Sequence, residues 1–454
     1  MKDICLINYS VKGIKTLDQQ VSLSFYKKTI SQEMNTQEYN IKGIYGMNGS
    51  GKSGIVTSVD ILKNLLLNPG YLSNPMVQRN LDAIINKKMG ELFIEVDYIA
   101  PMINPLTIFQ YRVVLSKDVV GKYTISYEKL SAKRTTTKSN LMMPIFEVVN
   151  GDFVHNQREE KDKFTQELLK KTTNLLSTNS MCALFVEKIL ASSDNILEGK
   201  ENTLFASLCL LFVFASKLHV CIEESDDHRN HIAHNVYECL GNSDSEIDNI
   251  MKNFAEMDRV HLNAISVTQN IISKKEYKYF VKYVDKLTEF IRIFKSDLQR
   301  IEIDKKENRD AYVCDLIMVY DSYKIHAEFE STGIKKLVRL YAYLKKMVRG
   351  EIVFIDEFDS NLHDVYLCAL LEYLMEYGKG QLCFTTHNVG PMDILKQHKK
   401  SIDFLSIDRK IYSWTTNGNY SPSKLYRNGM IEGSPFNIDS IDFIGVFGSG
   451  EEDA

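Results

Sequence analysis

The chain has 454 residues, enough for two or three structural units of about 150 residues each. Its composition, 44% hydrophobic and 25% charged with a net charge of -4, excludes an intrinsically disordered chain and a globally basic nucleic-acid binder. No apolar run approaches the roughly 18 residues that a membrane span needs, and the N-terminus lacks a signal-peptide pattern, so we expect a cytoplasmic protein without a membrane partner.

Residues 1–155 contain short apolar runs bounded by turn residues, a pattern typical of β-strands. We predict strands in the runs DICLINYS, QVSLSFY, IKGIY, ELFIEVDYIA, LTIFQYRVVLS, KYTISYEKLSA and PIFEVVNG. One helix follows IKGIY, with Ile55, Val59, Leu62 and Leu66 on a single face. This part is predicted to be a β-rich first half of an α/β protein.

Residues 156–308 have long stretches without proline or glycine and show helical apolar spacing, which predicts a helical insertion. Apolar residues follow at steps of three and four at Tyr277, Phe280, Val284, Leu287, Ile291, Phe294, Leu298 and Ile301. Such a heptad pattern predicts a short coiled-coil arm. An amphipathic helix packed on the body of the protein gives much the same stripe and is the alternative.

From residue 309 to 454 the pattern returns to strands, in AYVCDLIMVYD and YKIHAEF, followed by a helix in GIKKLVRLYAYLKKM. The runs EIVFIDE and QLCFTTH are apolar enough for parallel strands buried on both faces. The predicted architecture is therefore an α/β head split by a helical insertion.

Neither the cysteines nor the histidines give a strong metal signal. The eight cysteines never form a CxxC pair and mostly lie in apolar runs, as buried free thiols do. His228, His231 and His234 are spaced by three residues, and two or three of them could share a helix face as metal ligands. A polar, acidic loop between helices explains the same cluster.

Lysines fall at every fourth residue beside the heptad pattern, at Lys274, Lys278, Lys282 and Lys286. A solvated helix flank explains this stripe, and contact with the phosphates of DNA or RNA is the alternative.

The run GMNGSGKS, from Gly46 to Ser53, matches the phosphate-binding pattern GxxxxGKS between a predicted strand and a predicted helix. Glycines let backbone N–H groups surround phosphate oxygens at a helix N-terminus, while the lysine contacts the terminal phosphates. The predicted nucleotide-binding residues of this loop are Gly46, Asn48, Gly49, Ser50, Gly51, Lys52 and Ser53.

An acidic pair ends the apolar run EIVFIDE. Asp356 is predicted to hold Mg2+ together with Ser53, directly or through water, and Glu357 to polarise the water that attacks the phosphate. One acidic strand end has many structural explanations, but the phosphate-binding loop in the same chain makes an NTPase the favoured interpretation.

Two further features complete the pattern. His387 ends the next apolar strand, where an imidazole could contact a γ-phosphate, although a structural role is common for such a residue. Ser331 and Gly333 immediately precede a predicted helix, which suits either phosphate binding or simple N-capping.

The order of these elements resembles the ABC-type ATPases of the SMC and DNA-repair class. The resemblance implies that Ser331 and Gly333 form a signature that contacts the nucleotide held by a second protomer, so that two ATP molecules are enclosed in a head-to-tail homodimer or a higher homo-oligomer. It also implies roles for Glu357 and the switch histidine His387 in hydrolysis, and for Asn8 at the nucleotide. The segment DSNLH, residues 359–363, is similar to the loop that crosses the dimer interface.

The signature reads ESTGIKK and differs from the transporter form. The family also has a conserved-motif glutamine in a segment called the Q-loop. Both Gln110 and Gln157 are candidates for it, and the sequence does not decide between them.

The runs YTISYEKLSA, ESTGIKKL, VFIDEFDSNLH and FTTHN are most similar to the stand-alone OLD-like ATPases, which recur in anti-phage defence and include the ATPase subunit of the PARIS system. Too few residues follow His387 for the Toprim nuclease domain of OLD nucleases. The resemblance therefore implies a sensor or scaffold that controls a separate effector, such as a nuclease or toxin. The alternative is an SMC-like repair or chromosome-associated ATPase that binds DNA.

Overall fold

The computed structural model describes residues 4–27, 30, 35–100, 106–136, 141–154, 163–187, 203–222, 265–309, 311–415 and 420–435. His228, His231, His234 and Gln157 lie outside these residues.

The strands are β1 Cys5–Lys12, β2 Val21–Ser24, β3 Ile41–Gly46, β4 Glu91–Ala100, β5 Thr107–Lys117, β6 Tyr123–Arg134, β7 Met143–Val149, β8 Asp152–Val154, β9 Leu218–Cys221, β10 Asn270–Ser273, β11 Arg300–Asn308, β12 Ala311–Val319, β13 Lys324–His326, β14 Ile352–Ile355, β15 Gln381–Thr385, β16 Ile402–Leu405 and β17 Ile411–Ser413. The α-helices are α1 Lys52–Leu67, α2 Pro75–Ile84, α3 Lys163–Thr172, α4 Met181–Phe185, α5 Thr203–Lys217, α6 Tyr277–Phe294, α7 Thr332–Arg349, α8 Asp364–Tyr377, α9 Gly390–Leu395 and α10 Pro422–Arg427. Short 3₁₀ segments lie at Gln37–Tyr39, Tyr71–Ser73, Thr173–Leu175 and Ala327–Phe329. The strands and helices predicted for the first 155 residues and for the segment after residue 309 are confirmed, with small shifts at their ends.

A seven-stranded antiparallel sheet has the order β2-β1-β4-β5-β6-β7-β8. Its strands alternate buried and partly exposed residues, as expected for a sheet with only one face in the core. The strands predicted within residues 1–155 belong to this sheet, except IKGIY, which forms β3 of the second large sheet.

A six-stranded sheet has the order β17-β16-β3-β15-β14-β9, and all neighbours are parallel except β16 and β17. Both faces of β14 are buried, since Ile352 and Phe354 pack in the core that contains α1, whereas Val353 and Ile355 pack against α7 and α8. A parallel strand covered on both faces reads as a continuous apolar run, which is why EIVFIDE was recognisable.

The smaller sheet β10-β12-β11, with β13 paired to β12, packs against helix α6. The buried face of α6 consists of Phe280, Val284, Leu287 and Ile291, and it contacts residues of this sheet and of α7. The predicted coiled-coil arm is not confirmed for these residues. Their contacts match the alternative, an amphipathic helix packed on the body.

The heptad pattern also runs past the end of the helix, which is at Phe294. Lys295 leaves the helical region with φ -138° and ψ 86°, and Ile301 belongs to β11. The apolar pattern with steps of three and four residues therefore covers both a helix and a strand. It continues across the two elements by coincidence, because both face the same core.

The helical insertion predicted for residues 156–308 is not confirmed either, because β9, β10 and β11 lie within it. Strand β9 follows α5 without a turn and pairs with β14, so this part of the segment belongs to the six-stranded sheet. Short strands without glycine or proline at their ends gave no signal to separate them from helices. The domain boundaries at residues 155 and 308 stay predictions.

Within the described ranges, no helix is long and apolar enough to cross a membrane. Seven cysteines fall in these ranges as free thiols, and all except Cys368 are buried.

Candidate active site

The phosphate-binding loop lies between the end of β3 and the start of α1, as predicted. Gly51 has φ 114°, a backbone conformation that disfavours any side chain, and a Cβ there would lie 2.4 Å from Leu17 Cδ2. A Cβ on Gly46 would lie 2.4 Å from the carbonyl oxygen of Leu405. The two outer glycines of the motif are therefore required by the packing of the loop between neighbouring segments.

The Lys52 side chain is buried and folds back over the loop, where its Nζ donates to the carbonyl oxygens of Gly46 at 2.8 Å and Met47 at 3.1 Å. Burial lowers the pKa of Lys52 to about 8, although the negative charges of Asp356, Glu357 and Asp359 oppose the shift. Burial disfavours the charged form of a lysine, and a nearby anionic ligand stabilises that form again. Lys52 is thus suited to a phosphate.

The hydroxyl of Ser50 is buried in the same loop, and within the described part of the chain it has no hydrogen-bond partner. A buried hydroxyl without a partner costs free energy, which a ligand that hydrogen-bonds to it would recover.

Asp356 and Glu357 follow the last residue of β14, and β15 lies between this strand and β3. Because parallel strands end at the same edge, the end of β15 separates the phosphate-binding loop from the acidic pair. The Thr385 hydroxyl occupies that position: it donates to Asp356 Oδ1 at 2.5 Å and accepts from the Glu357 N–H at 2.8 Å. Asp356 is 2% exposed, so this bond orients a carboxylate that water hardly contacts.

Glu357 has φ 47°, a left-handed conformation that is uncommon for glutamate. Its carbonyl oxygen accepts from the Lys336 ammonium, and its N–H is held by Thr385. Contacts on both sides of the residue therefore maintain this backbone conformation.

His387 is exposed, and its N–H lies 3.4 Å from both carboxylate oxygens of Asp359. Burial of part of the ring and the charge of Lys52 lower the pKa of His387, while Asp359 and Asp356 oppose this. The lowered pKa favours the neutral imidazole, whose ring N–H can donate one hydrogen bond to a ligand oxygen.

These groups surround one cavity of about 220 Å³. Its walls contain the predicted residues Asn48, Gly49, Gly51, Lys52, Ser53, Glu357 and His387. Gly46 and Ser50 belong to the same loop but do not line the cavity, and Asp356 is hydrogen-bonded to Thr385, which does.

The sequence analysis missed Lys15, Thr16, Gly54 and Thr385, which also line this cavity. Thr385 could have been found, because it precedes the recognised His387 by two residues at the end of the same strand. Lys15 and Thr16 lie in a loop that carries no recognisable motif. Only the folded structure shows that they line the cavity.

Ser331 and Gly333 lie elsewhere, and among the described residues neither belongs to the cavity wall. Ser331 is the N-cap of α7, and its Oγ accepts from the Ile334 N–H at 3.4 Å. A Cβ on Gly333 would lie 2.6 Å from the carbonyl oxygen of Asn361, and Thr332 Oγ1 lies 3.2 Å from Asn361 Oδ1. The start of α7 thus packs on the loop that follows the acidic pair.

Asn8 lies in β1, in the seven-stranded sheet, and donates to Ser10 Oγ at 3.2 Å. Gln110 lies in β5 and donates to Asp97 Oδ1 at 2.9 Å. Neither side chain lines the cavity in the described structure, so their roles at a nucleotide stay predictions.

No family model matches this sequence, and no curated protein matches it. Among solved structures, the chain is similar to one described as the recombination mediator protein RecF-ATPrS in the RecFOR pathway, with 11% identity over 91% of this chain and 98% of that chain. The TM-score is 0.36, and a likeness at this level carries no argument about what this chain does or binds.

Proposed function

We propose that this protein binds ATP and hydrolyses it to ADP and phosphate. The observation that supports the proposal is the convergence of Lys52, Glu357, Thr385 and His387 on one cavity above a glycine-containing loop. Those groups supply a cation, a carboxylate and a neutral imidazole around the space that the loop offers to a phosphate chain.

In this proposal the loop N–H groups and Lys52 bind the phosphates, and the Lys52 amine exchanges its carbonyl partners for phosphate oxygens. Glu357 orients and polarises the water that attacks the terminal phosphate, and His387 donates a hydrogen bond to that phosphate. Ser53 in the wall and the buried Asp356 offer the oxygen ligands that Mg2+ prefers, and the bound ion would neutralise phosphate charge.

Two substitutions test the chemistry. Lys52→Ala removes the buried cation and should weaken ATP binding by about tenfold or more. Glu357→Gln should leave ATP binding intact and slow phosphate release by about a hundredfold or more, as expected for loss of a general base. Calorimetry and a phosphate-release assay measure the two effects, with the exposed Glu376→Gln as a control. Unchanged turnover in the Glu357 variant would contradict the proposed role.

We further propose that two copies enclose ATP between them, each placing Ser331 and Gly333 against the nucleotide of the other. The exposure of Ser331, away from its own cavity, supports this arrangement. Light scattering of the Glu357→Gln variant should show a dimer or higher oligomer with ATP, and Ser331→Arg should abolish it. Assembly that ignores both nucleotide and this substitution would contradict the arrangement.

On the resemblance of its motifs, we propose that the ATPase is the sensor or scaffold of an OLD-like antiviral defence system, such as the PARIS type, and controls a separate effector. Co-purification with the products of neighbouring genes, with and without ATP, tests this. A nuclease or toxin that co-purifies in a stoichiometric amount would support the proposal. Failure of the protein and its neighbours to protect a host against phage would contradict it.

The DNA-binding alternative depends on the lysine stripe, of which Lys274 precedes α6 and the other three members lie in it. Lys274 pairs with Glu307 and Lys286 with Glu289, and the Lys278 ammonium lies 4.9 Å from the centre of the Tyr279 ring. Strong stimulation of ATP turnover by DNA, lost when the four lysines become glutamates, would nevertheless favour this alternative.

A further inference from the structure

The loop between β1 and β2 forms part of the cavity wall, although no motif marks it. Lys15 and Thr16 lie in this wall beside the first turn of α1. The loop folds tightly on itself, since the Gly13 N–H donates to the Leu17 carbonyl at 2.7 Å and the Leu17 N–H to the Ile14 carbonyl at 2.8 Å.

Lys15 has φ 47°, which is uncommon for a lysine. The surroundings fix this conformation: its N–H donates to the Ile84 carbonyl at 2.6 Å, and its carbonyl accepts from Asn86 Nδ2 at 2.8 Å. Next to it, the Thr16 carbonyl accepts from Arg409 Nε at 3.0 Å. A left-handed residue held by contacts from separate segments is the kind of strain that proteins keep at ligand sites.

The loop also packs directly on the phosphate-binding loop. A Cβ on Gly51 would lie 2.4 Å from Leu17 Cδ2 and 3.1 Å from Thr16 Oγ1. A Cβ on Gly54 would lie 3.5 Å from Ile14 Cγ2. Gly54 has no side chain, so the β1-β2 loop can approach the first turn of α1 and form the adjoining wall of the cavity. This loop adds Lys15 to the cavity wall as a second cation beside Lys52.

We propose that Lys15, with Thr16 beside it, binds the nucleoside-proximal phosphates of the nucleotide. This rests on the proposed ATP site, in which Glu357, Thr385 and His387 mark the end for the terminal phosphate. The loop of Lys15 adjoins Gly51 and Gly54 at the start of α1, so we assign Lys15 to the phosphates that ATP and ADP share. Lys15 therefore sets the affinity for both nucleotides, whereas Glu357 and His387 act on ATP alone.

The test compares ATP and ADP affinities by calorimetry in the full chain. Lys15→Asn removes the cation but suits the left-handed backbone, and it should weaken both nucleotides by a similar factor of about ten. Lys15→Arg should retain most of the affinity, because it keeps the charge. Lys87→Asn makes the same charge change at an exposed residue paired with Asp82, and it should change neither affinity.

Equal affinities in the wild type and the Lys15→Asn variant would overturn this inference, and so would a loss for ATP without a loss for ADP. If the wild type binds neither nucleotide, the proposed function itself fails. Lys15→Gly, which also suits this φ, repeats the measurement if the asparagine variant does not fold.

Discussion

The single hydroxyl of Thr385 serves two residues of the candidate site. It orients the buried Asp356 carboxylate and holds the N–H of Glu357, whose backbone is left-handed. Without it, one carboxylate oxygen and one N–H would lose their partners. Buried groups in that condition each cost about 1–3 kcal/mol.

We expect Thr385→Val, which keeps the shape of the side chain, to slow phosphate release about tenfold by releasing Asp356 and Glu357. Thr385→Ser keeps the hydroxyl and should retain most of the rate. Single-turnover phosphate release and thermal unfolding of both variants measure the effect. If the two variants lose rate equally, the hydroxyl does not matter.

Glu128 is a second residue whose surroundings decide its behaviour. It is fully buried in β6, where it accepts from the Tyr111 hydroxyl at 2.9 Å and from the Met181 N–H at 3.0 Å, and burial raises the pKa of its carboxyl to about 7. The folded protein therefore keeps this proton at pH values where the unfolded chain has released it.

The free energy of unfolding should consequently fall as the pH rises from about 4.5 to about 7, by roughly 3 kcal/mol from this group alone. Glu128→Gln stays neutral and should remove this part of the pH dependence. Urea unfolding at pH 5 and pH 8 compares the two proteins. As a control, Glu147 of the same sheet has its pKa lowered by Lys129, so Glu147→Gln should not stabilise the protein at pH 8.

At the scale of the elements, one buried amide joins the two large sheets. Gln381, the first residue of β15, accepts from the Leu6 N–H at 2.7 Å and donates to the Leu6 carbonyl at 2.9 Å. Strand β2 pairs with β1 only from Asn8 onward, so Leu6 has no strand partner on that side and its N–H and carbonyl are held by Gln381 instead.

Gln381→Met should therefore cost about 2–4 kcal/mol of unfolding free energy, because both backbone groups of Leu6 lose their partner. The exposed Gln299→Met serves as the control and should change little. Urea denaturation gives both values, and equal stability of the two variants would show that water replaces the amide.

Helix α6 allows a second test at this scale. Leu287 is 0% exposed in the core shared with α7, whereas Ile293 of the same helix is 68% exposed. Leu287→Ala should destabilise the whole protein by about 2–5 kcal/mol, and Ile293→Ala by less than about 0.5 kcal/mol. A separate unfolding transition of the Leu287 variant, with the main transition unchanged, would instead indicate an independent arm.

At the scale of the whole molecule, the candidate site brings together residues that are far apart in the sequence. The phosphate-binding loop precedes residue 54, and Glu357, Thr385 and His387 lie some three hundred residues later. A ligand that contacts both parts stabilises only the assembled fold.

ATP at about a hundredfold excess over its Kd should therefore stabilise the wild type by about 2.7 kcal/mol. Thermal unfolding with and without ATP measures this, and the Lys52→Ala variant should show little shift under the same conditions. A shift of equal size in that variant would mean that ATP binds somewhere else.

Local patterns in the sequence predicted much of this molecule. The strand runs, the helix after the phosphate-binding loop and the acidic strand end each depend on neighbours within a few residues, and these were predicted correctly. The association of Glu357 and His387 with Lys52 followed from motif order rather than from geometry.

Features that depend on distant residues were not predictable in this way. The apolar stripe from Tyr277 to Ile301 carries no information on whether its partner is a second helix or a sheet. Strand β9 becomes a strand by pairing with β14, which lies far along the chain. The role of Lys15 depends on a backbone conformation that Ile84 and Asn86 impose.

The close approach of Gly333 to Asn361 has an evolutionary consequence. At 2.6 Å there is no room for even a methyl group, and the obstructing atom belongs to the backbone, so a rotamer change cannot relieve the clash. Asn361 itself has φ 58°. We therefore expect natural relatives with a larger residue at position 333 to differ also in the length or glycine content of the segment around position 361. Changes at the two positions should be correlated among relatives.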